Sequence, residues 1–182
     1  QLLLVHLAVR DHDRDLGNQA LEEELDLVDG LHPVVEVEDL AILHRKFKNM
    51  RSVKEATGDL GRMAKTRALC GEDFDILSGD DDKTFEMMAR HDIRASGVIS
   101  VMSNIVPGPI GAMVKAIRNE EMEEAHRLRE ILDPLFKVVT VNTVESYEGF
   151  EIPAKFRNPS AIKAMMKALG LPSGPCRQPL GK

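Results

Sequence analysis

In the stretch Ser52-Val-Lys-Glu-Ala-Thr-Gly-Asp59, a short apolar strand around Val53 leads directly into a turn. The last three residues of the stretch are turn formers, and the Asp59 side chain can cap a helix over residues 60–70. A strand that passes straight into a helix is the repeating unit of α/β folds. This stretch therefore predicts one strand-helix unit.

The same unit repeats along the middle of the chain. Apolar runs predict two more strands, and apolar positions at helical spacing predict helices around them. The predicted strands are Phe74–Ser78 and Gly97–Val101, and the predicted helices are Val37–Phe47, Lys83–Arg90 and, after a loop over Asn104–Gly111, Ala112–Arg118. Strands joined by crossover helices pair in parallel, so we predict an α/β fold class with helices outside a parallel sheet.

The remaining sequence suggests three regions. Residues 1–45 contain eleven acidic residues and three arginines, and they lack lysine, serine and threonine, unlike the rest of the chain. A natural acidic extension, a fusion or an out-of-frame translation would each explain this composition. Beyond Asn119 the pattern is mainly helical, with helices predicted at Glu120–Leu132 and Pro159–Leu169. We divide the chain into an acidic segment (1–35), an α/β part (36–118) and a C-terminal helical region (119–182).

Composition narrows the class of protein. The 182 residues are 43% apolar and 30% charged, with a net charge of -6, and the apolar runs are too short for a membrane span. The acidic balance gives no reason to expect nucleic acid. Cys70 and Cys176 fit no disulfide framework, and the N-terminus lacks the features of a secretory signal. We therefore expect free thiols and a cytoplasmic location.

No motif indicates a bound cofactor or metal. The chain has no glycine-rich phosphate loop and no spacing typical of zinc or calcium ligands. Asp80-Asp81-Asp82 is acidic, but Asp82 directly precedes a predicted helix. We interpret Asp82 as the cap of that helix and expect no metal site.

The candidate site residues follow from the α/β pattern. Reactive groups in parallel sheets lie at the carboxyl ends of the strands, where this chain has Lys54, Gly79 and Ile99, spaced 25 and 20 residues apart. A lysine buried on a strand is unfavourable unless it is paired or deprotonated, and a deprotonated amine is a nucleophile. The alternative is a partly exposed lysine paired with Glu55 or another carboxylate. For Gly79 and Ile99 the alternatives are a turn glycine and a core isoleucine.

Three segments resemble the dihydrodipicolinate synthase family in order and spacing: Ser52-Val-Lys-Glu-Ala-Thr-Gly-Asp59, Leu77-Ser-Gly-Asp-Asp81 and Gly97-Val-Ile-Ser-Val101. The resemblance continues through Phe156-Arg-Asn-Pro159 and Leu171-Pro-Ser-Gly-Pro175. It implies a partial (β/α)8 barrel, with the sixth to eighth strands of that fold followed by the helical region. It also implies a pyruvate-dependent aldolase that needs no cofactor.

The resemblance assigns roles to the candidate residues. Lys54 corresponds to the lysine that forms a Schiff base with pyruvate, after which the enamine attacks aspartate semialdehyde in lysine (diaminopimelate) biosynthesis. Gly79 corresponds to the small residue that leaves room for the keto acid. Ile99 corresponds to the residue whose backbone carbonyl faces pyruvate. Family members are commonly homotetramers, so we expect a homo-oligomer.

Two family segments have no counterpart in these 182 residues: the one that binds the pyruvate carboxylate, and the one that supplies a catalytic tyrosine and an arginine. The only tyrosine, Tyr147, matches neither. Two alternatives therefore stand beside the synthase. One is a noncatalytic remnant of the enzyme, and the other is a sister pyruvate aldolase such as N-acetylneuraminate lyase.

Overall fold

The computed structural model describes residues 35–178 and residue 180. Residues 1–34, which make up nearly all of the predicted acidic segment, lie outside this description. The chain divides into two compact units. The first unit contains residues 35–79 and 86–97, and the second contains residues 80–85 and 98–178 with residue 180.

The first half of the described chain alternates between helices and short strands. Its elements are α1 (Val37–Lys46), β1 (Ser52–Glu55), α2 (Leu60–Cys70), β2 (Asp75–Ser78), α3 (Thr84–Ala89) and β3 (Gly97–Val98). β1 and β2 pair in parallel, with Val53 opposite Ile76, and the sheet order is β1-β2-β3. The predicted α/β alternation is confirmed, and so is parallel pairing for β1 and β2.

The residues between β1 and α2 explain why the strand ends and the helix begins. Gly58 adopts a φ of 72°, and Asp59 follows as the N-cap, with its Oδ1 accepting a hydrogen bond from the Arg62 N–H at 3.0 Å. The predicted turn and cap are confirmed. The core of this unit lies where α1 and α2 pack together and against the sheet, and it includes Leu40, Val53, Met63, Phe74 and Ile76.

The second unit begins with the 3-10 turn Asp81–Lys83 and continues after β3. Its later elements are the 3-10 turn Met102–Asn104, α4 (Pro107–Arg118), α5 (Met122–Phe136), the 3-10 turn Lys137–Val139, β4 (Val141–Tyr147), β5 (Phe150–Phe156) and α6 (Ser160–Ala168). α4 and α5 pack together through buried side chains that include Ile110, Met113, Ala125, Leu128 and Leu132. Among residues 35–178 and 180, no helix combines the length and the apolar character needed to cross a membrane.

The C-terminal region corrects one prediction. The helices predicted after Asn119 are confirmed, but an antiparallel hairpin of β4 and β5 lies between them, with Tyr147 opposite Phe150. The two-residue turn is Glu148-Gly149, with φ values of 51° and 84°. Two positive φ values in succession are characteristic of the tight turns that join hairpin strands. The region is therefore not mainly helical throughout.

Two boundaries also differ from the prediction. β3 ends at Val98 instead of Val101, because the chain turns into a 3-10 helix at Met102. α4 begins at Pro107 instead of Ala112. Proline is tolerated in the first turn of a helix, where its missing N–H would have no intrahelical partner.

Candidate functional site

Lys54 is the third of four residues in β1 and lies opposite Leu77 of β2. Successive strand residues point to opposite faces of the sheet. The burial pattern follows this rule, since Val53 and Glu55 are buried whereas Ser52 and Lys54 are half-buried. The Lys54 side chain therefore leaves the sheet on the face opposite Val53 and Glu55.

Glu55 does not pair with Lys54. Its carboxylate is only 3% exposed, its Oε1 accepts the Thr57 N–H at 3.1 Å, and its Oε2 lies 3.5 Å from Arg62 Nε. Glu55 thus stabilises the turn and neutralises the charge of Arg62, on the face of the strand opposite Lys54. Lys54 has no ion pair with any residue in the described part of the chain. The alternative of a Lys54–Glu55 pair is wrong.

Gly79 follows β2 directly and lies next to the end of the Lys54 side chain. Its N–H donates to the Glu55 carbonyl at 2.7 Å. A Cβ at this position would lie 2.6 Å from Ala56 Cβ, 3.0 Å from the Glu55 carbonyl oxygen and 3.1 Å from Lys54 Cε. Close packing leaves no room for that atom. Glycine at position 79 therefore provides the space that the Lys54 side chain occupies.

Ile99 belongs to the second unit and lies one residue beyond β3. It is 44% exposed. The prediction that it ends the third strand is therefore off by one residue, and the alternative of a core isoleucine is wrong. Its assigned role uses the backbone carbonyl, and that role stays a prediction.

Asp81 anchors the segment that follows Ile99. Its side chain is buried, and Oδ2 accepts hydrogen bonds from the N–H groups of Val101 and Met102, both at 3.0 Å. A carboxylate that accepts two backbone N–H groups holds a loop strongly. Asp82 instead lies inside the 3-10 turn, 3.7 Å from Lys83 Nζ, so the predicted cap at Asp82 is wrong. The position of Asp81 after a strand was the only signal in the sequence.

Arg67 is a second anchor that sequence reasoning missed. The guanidinium group is buried in the first unit and donates to the carbonyls of Ile93 at 2.9 Å, Phe74 at 2.7 Å and Gly71 at 2.6 Å. These bonds tie the end of α2 to the start of β2. An arginine in an exposed-looking helix gives no sequence signal for this role.

The arrangement around Lys54 suits nucleophilic chemistry. A primary amine without an ion-pair partner in the described chain stands on a strand, beside the space that Gly79 provides. Such an amine can attack a carbonyl carbon and form an imine. A buried or half-buried setting also limits competition from bulk water.

Comparisons of the sequence with known proteins agree with one another. The model of the dihydrodipicolinate synthetase family matches residues 33–182. The 4-hydroxy-tetrahydrodipicolinate synthase of Sulfurihydrogenibium sp. is 38% identical over 134 residues, covering 74% of this chain and 40% of that protein. The enzyme of the same name from Geotalea daltonii is 38% identical over 135 residues, covering 74% of this chain and 41% of that protein.

Solved structures show the same likeness. The 4-hydroxy-tetrahydrodipicolinate synthase of Methylacidiphilum fumariolicum SolV aligns with a TM-score of 0.66 and 31% identity, covering 80% of this chain and 43% of that one. Dihydrodipicolinate synthase from Aquifex aeolicus aligns with a TM-score of 0.66 and 29% identity, covering 81% and 45%. The chain thus spans about two-fifths of the length of the curated relatives it matches. Over that span, sequence and fold give the same assignment: the chain belongs to the dihydrodipicolinate synthetase family, a family of aldolase-type lyases.

Proposed function

We propose that this chain carries the imine-forming lysine of a 4-hydroxy-tetrahydrodipicolinate synthase-like lyase, and that Lys54 is this lysine. The observation that carries the proposal is the placement of Lys54 on β1, with its Cε against Gly79 and no carboxylate partner in the described chain. Family membership supports the reaction class.

The chemistry begins with attack of the Lys54 amine on the ketone carbon of pyruvate. Loss of water from the resulting carbinolamine gives a protonated imine, which withdraws electrons from the adjacent methyl group. Release of a methyl proton yields an enamine, and its carbon attacks the aldehyde of aspartate semialdehyde. Ring closure by the substrate's amino group displaces the lysine and releases the cyclic product.

Two further residues complete the proposal. Gly79 is proposed to be the small residue that leaves room for the keto acid, a role that rests on the sequence resemblance, and its lack of a Cβ leaves Lys54 Cε unobstructed. The backbone carbonyl of Ile99 is proposed to face pyruvate, a role that rests on the sequence resemblance. The strands β1, β2 and β3 are proposed to correspond to the sixth, seventh and eighth strands of a (β/α)8 barrel, whose active sites lie at the carboxyl ends of strands.

Trapping with borohydride tests the proposal. The chain is incubated with pyruvate and sodium borohydride, which reduces an imine to a stable amine, and the intact mass is measured. We expect one reduced pyruvate adduct on the unmodified chain and none on Lys54→Ala. The matched control is Lys65→Ala, which removes an exposed lysine that pairs with Glu38 in the first unit. An adduct of equal yield on Lys54→Ala would overturn the proposal.

A second measurement separates imine formation from turnover. Aspartate semialdehyde is added with pyruvate, and its consumption is followed. Consumption that requires Lys54 supports the lyase. An adduct without consumption supports a noncatalytic chain that retains the nucleophile, and cleavage of N-acetylneuraminate instead would support the sister aldolase.

A further inference from the structure

The hairpin formed by β4 and β5 has two unlike faces. Side chains alternate along each strand, and Tyr147 is paired with Phe150, so the register fixes which residues share a face. One face, which we call the apolar hairpin face, carries Val141, Tyr147, Phe150, Ile152, Ala154 and Phe156. Its polar members are Thr143 and Glu145. The opposite face is mostly polar, with Val144 as an exposed apolar residue.

The apolar hairpin face is open to solvent. Tyr147 is 64% exposed, Phe150 71% and Ile152 46%. The chain's single tyrosine and two of its six phenylalanines lie on this face. A two-stranded hairpin is marginally stable by itself, and an exposed apolar patch of this kind marks an interaction surface.

An apolar cavity lies at the base of the hairpin. It measures about 620 Å³ and is lined by Val141 and Phe156 from the apolar hairpin face, by Ala161 and Ala164 of α6, and by Cys176. A cavity of this size accepts a drug-sized apolar group. The hairpin tip carries two such groups, the rings of Tyr147 and Phe150, but they lie at the far end of the same strands.

We propose that the cavity accepts the hairpin tip of a second copy of this chain, and that two copies exchange tips reciprocally. Six residue steps separate Val141 from Tyr147, which is about 20 Å along a strand. When two apolar hairpin faces stack about a two-fold axis perpendicular to the strands, each tip lies over the base of the other hairpin. Tyr147 then lies over Val141 of the second copy, and Phe150 lies over Phe156.

The same symmetry makes the rest of the face self-complementary. Glu145 lies opposite Thr143 of the second copy, so its carboxylate meets a hydroxyl donor and not another carboxylate. Ile152 lies opposite Ala154, which sets a large side chain against a small one. A two-fold interface requires this kind of match between a surface and itself. The match favours a second copy over an unrelated partner.

The size of the surface sets the expected affinity. Two strands spaced about 4.8 Å apart give a face about 20 Å long and 10 Å wide. This is smaller than the roughly 800 Å² per partner of a standard interface, so filling of the cavity by the tip must supply much of the affinity. We therefore expect a weak dimer, formed at micromolar concentrations.

A thiol cross-link tests the exchange. In Phe150→Cys the new thiol stands at the tip, and the native Cys176 lines the cavity. Within one chain the tip and base are about 20 Å apart, whereas a disulfide needs Cα atoms within about 7 Å. Mild oxidation should therefore yield a covalent dimer, with peptide mapping showing the link from position 150 to Cys176. Cys176→Ser in the same background should abolish that link.

The matched control is Val144→Cys, which places a thiol on the opposite face of the same hairpin at a position that is 59% exposed. It should give no link to Cys176. Sedimentation provides an independent measurement: the unmodified chain should dimerise at tens of micromolar, and the double variant Tyr147→Ser, Phe150→Ser should remain monomeric. A chain that is monomeric throughout, a dimer unaffected by the tip substitutions, or equal links from positions 144 and 150 would overturn the proposal.

Discussion

The molecule contains two strand pairs of opposite character. β1 and β2 are parallel and four residues long, every second residue in them is buried, and a helix separates them in the sequence. β4 and β5 are antiparallel, seven residues long and almost entirely exposed, and only the turn Glu148-Gly149 separates them. The parallel pair buries Val53, Glu55, Ile76 and Ser78, whereas every residue of the hairpin strands is exposed or half-buried.

We relate the parallel pair to the proposed chemistry of Lys54 and the hairpin to association between chains. At the end of the parallel pair the packing is tight, because a Cβ at position 79 would lie 2.6 Å from Ala56 Cβ and 3.1 Å from Lys54 Cε. Such packing would hold the proposed Lys54 nucleophile in place. In the hairpin the side chains meet solvent, so substitutions there should change interactions between chains and leave the unit itself folded.

The largest expected effect is at Arg67, in the buried first unit. Arg67→Met keeps the apolar stem but removes donors from the carbonyls of Gly71, Phe74 and Ile93. Hydrogen bonds from a charged group contribute about 1.5–3 kcal/mol each, so we expect a loss of about 3 kcal/mol or more in the free energy of unfolding. Unfolding in denaturant measures this change in the free energy of unfolding.

The control for Arg67 is Arg90→Met. Arg90 forms an exposed ion pair with Asp92, with nitrogen to oxygen distances of 2.9 and 2.6 Å. Exposed pairs contribute little, so its unfolding midpoint should match that of the unmodified chain. Equal losses for the two variants would contradict the view that burial makes the difference.

The second effect concerns Asp81, the buried anchor of the second unit. Asp81→Ala leaves the N–H groups of Val101 and Met102 without their acceptor. We expect a loss of about 2–3 kcal/mol, together with faster amide exchange at residues 101 and 102. Asp82→Ala should change neither quantity, because Asp82 is exposed and forms a loose surface pair with Lys83. Unchanged exchange in Asp81→Ala would refute the anchor role.

The third effect tests the fit at Gly79. Gly79→Ala inserts a Cβ against Ala56, the Glu55 carbonyl and Lys54 Cε. Overpacking of this kind reduces stability by about 1–3 kcal/mol, and we expect it to displace Lys54 and lower the yield of trapped pyruvate. The control is Gly111→Ala in α4, where a Cβ has open space and should stabilise the helix by about 0.5–1 kcal/mol. An unchanged yield of trapped pyruvate in Gly79→Ala would show that Gly79 does not shape the site.

The smallest effect is expected on the exposed surface of α5. Arg127 donates two hydrogen bonds to Glu124 at 2.7 and 2.6 Å, and they hold the pKa of that carboxyl below its usual value. A lowered pKa stabilises the fold above the ordinary carboxyl pKa, and this contribution is lost as the pH falls through the lowered one. Both side chains are exposed, so Glu124→Gln should change the melting temperature only slightly at neutral pH and not at all in acid or high salt. A difference that grows in acid would contradict this sign.

The parts of the fold that local chemistry controls could be predicted. β1, the turn at Gly58 and α2 follow from residues next to one another, with Asp59 as the cap. The sequence analysis predicts no hairpin, although Glu148-Gly149, between runs rich in valine, threonine and aromatic residues, is a usable turn signal. β3 is shorter than predicted because Asp81, twenty residues earlier, holds the backbone at Val101.

Some contacts at the candidate site can likewise be predicted from the sequence, and others cannot. Neighbouring parallel strands predict that Lys54 and Gly79 lie side by side, and the structure shows this contact. The orientation of Glu55 toward Arg62 and the burial of Arg67 depend on packing between distant elements. The spacing of residues along the sequence does not reveal such packing. The catalytic roles of Lys54, Gly79 and Ile99 stay predictions.

Peptide mapping of trapped pyruvate tests whether Lys54 is the imine-forming residue. The chain is treated with pyruvate and borohydride, digested, and its peptides are sequenced by mass spectrometry. We expect the reduced adduct on the peptide that contains Lys54, at up to one per chain, and not on exposed lysines such as Lys65 and Lys83. An adduct spread over those exposed lysines, with Lys54 unmodified, would show that Lys54 is not the imine-forming residue.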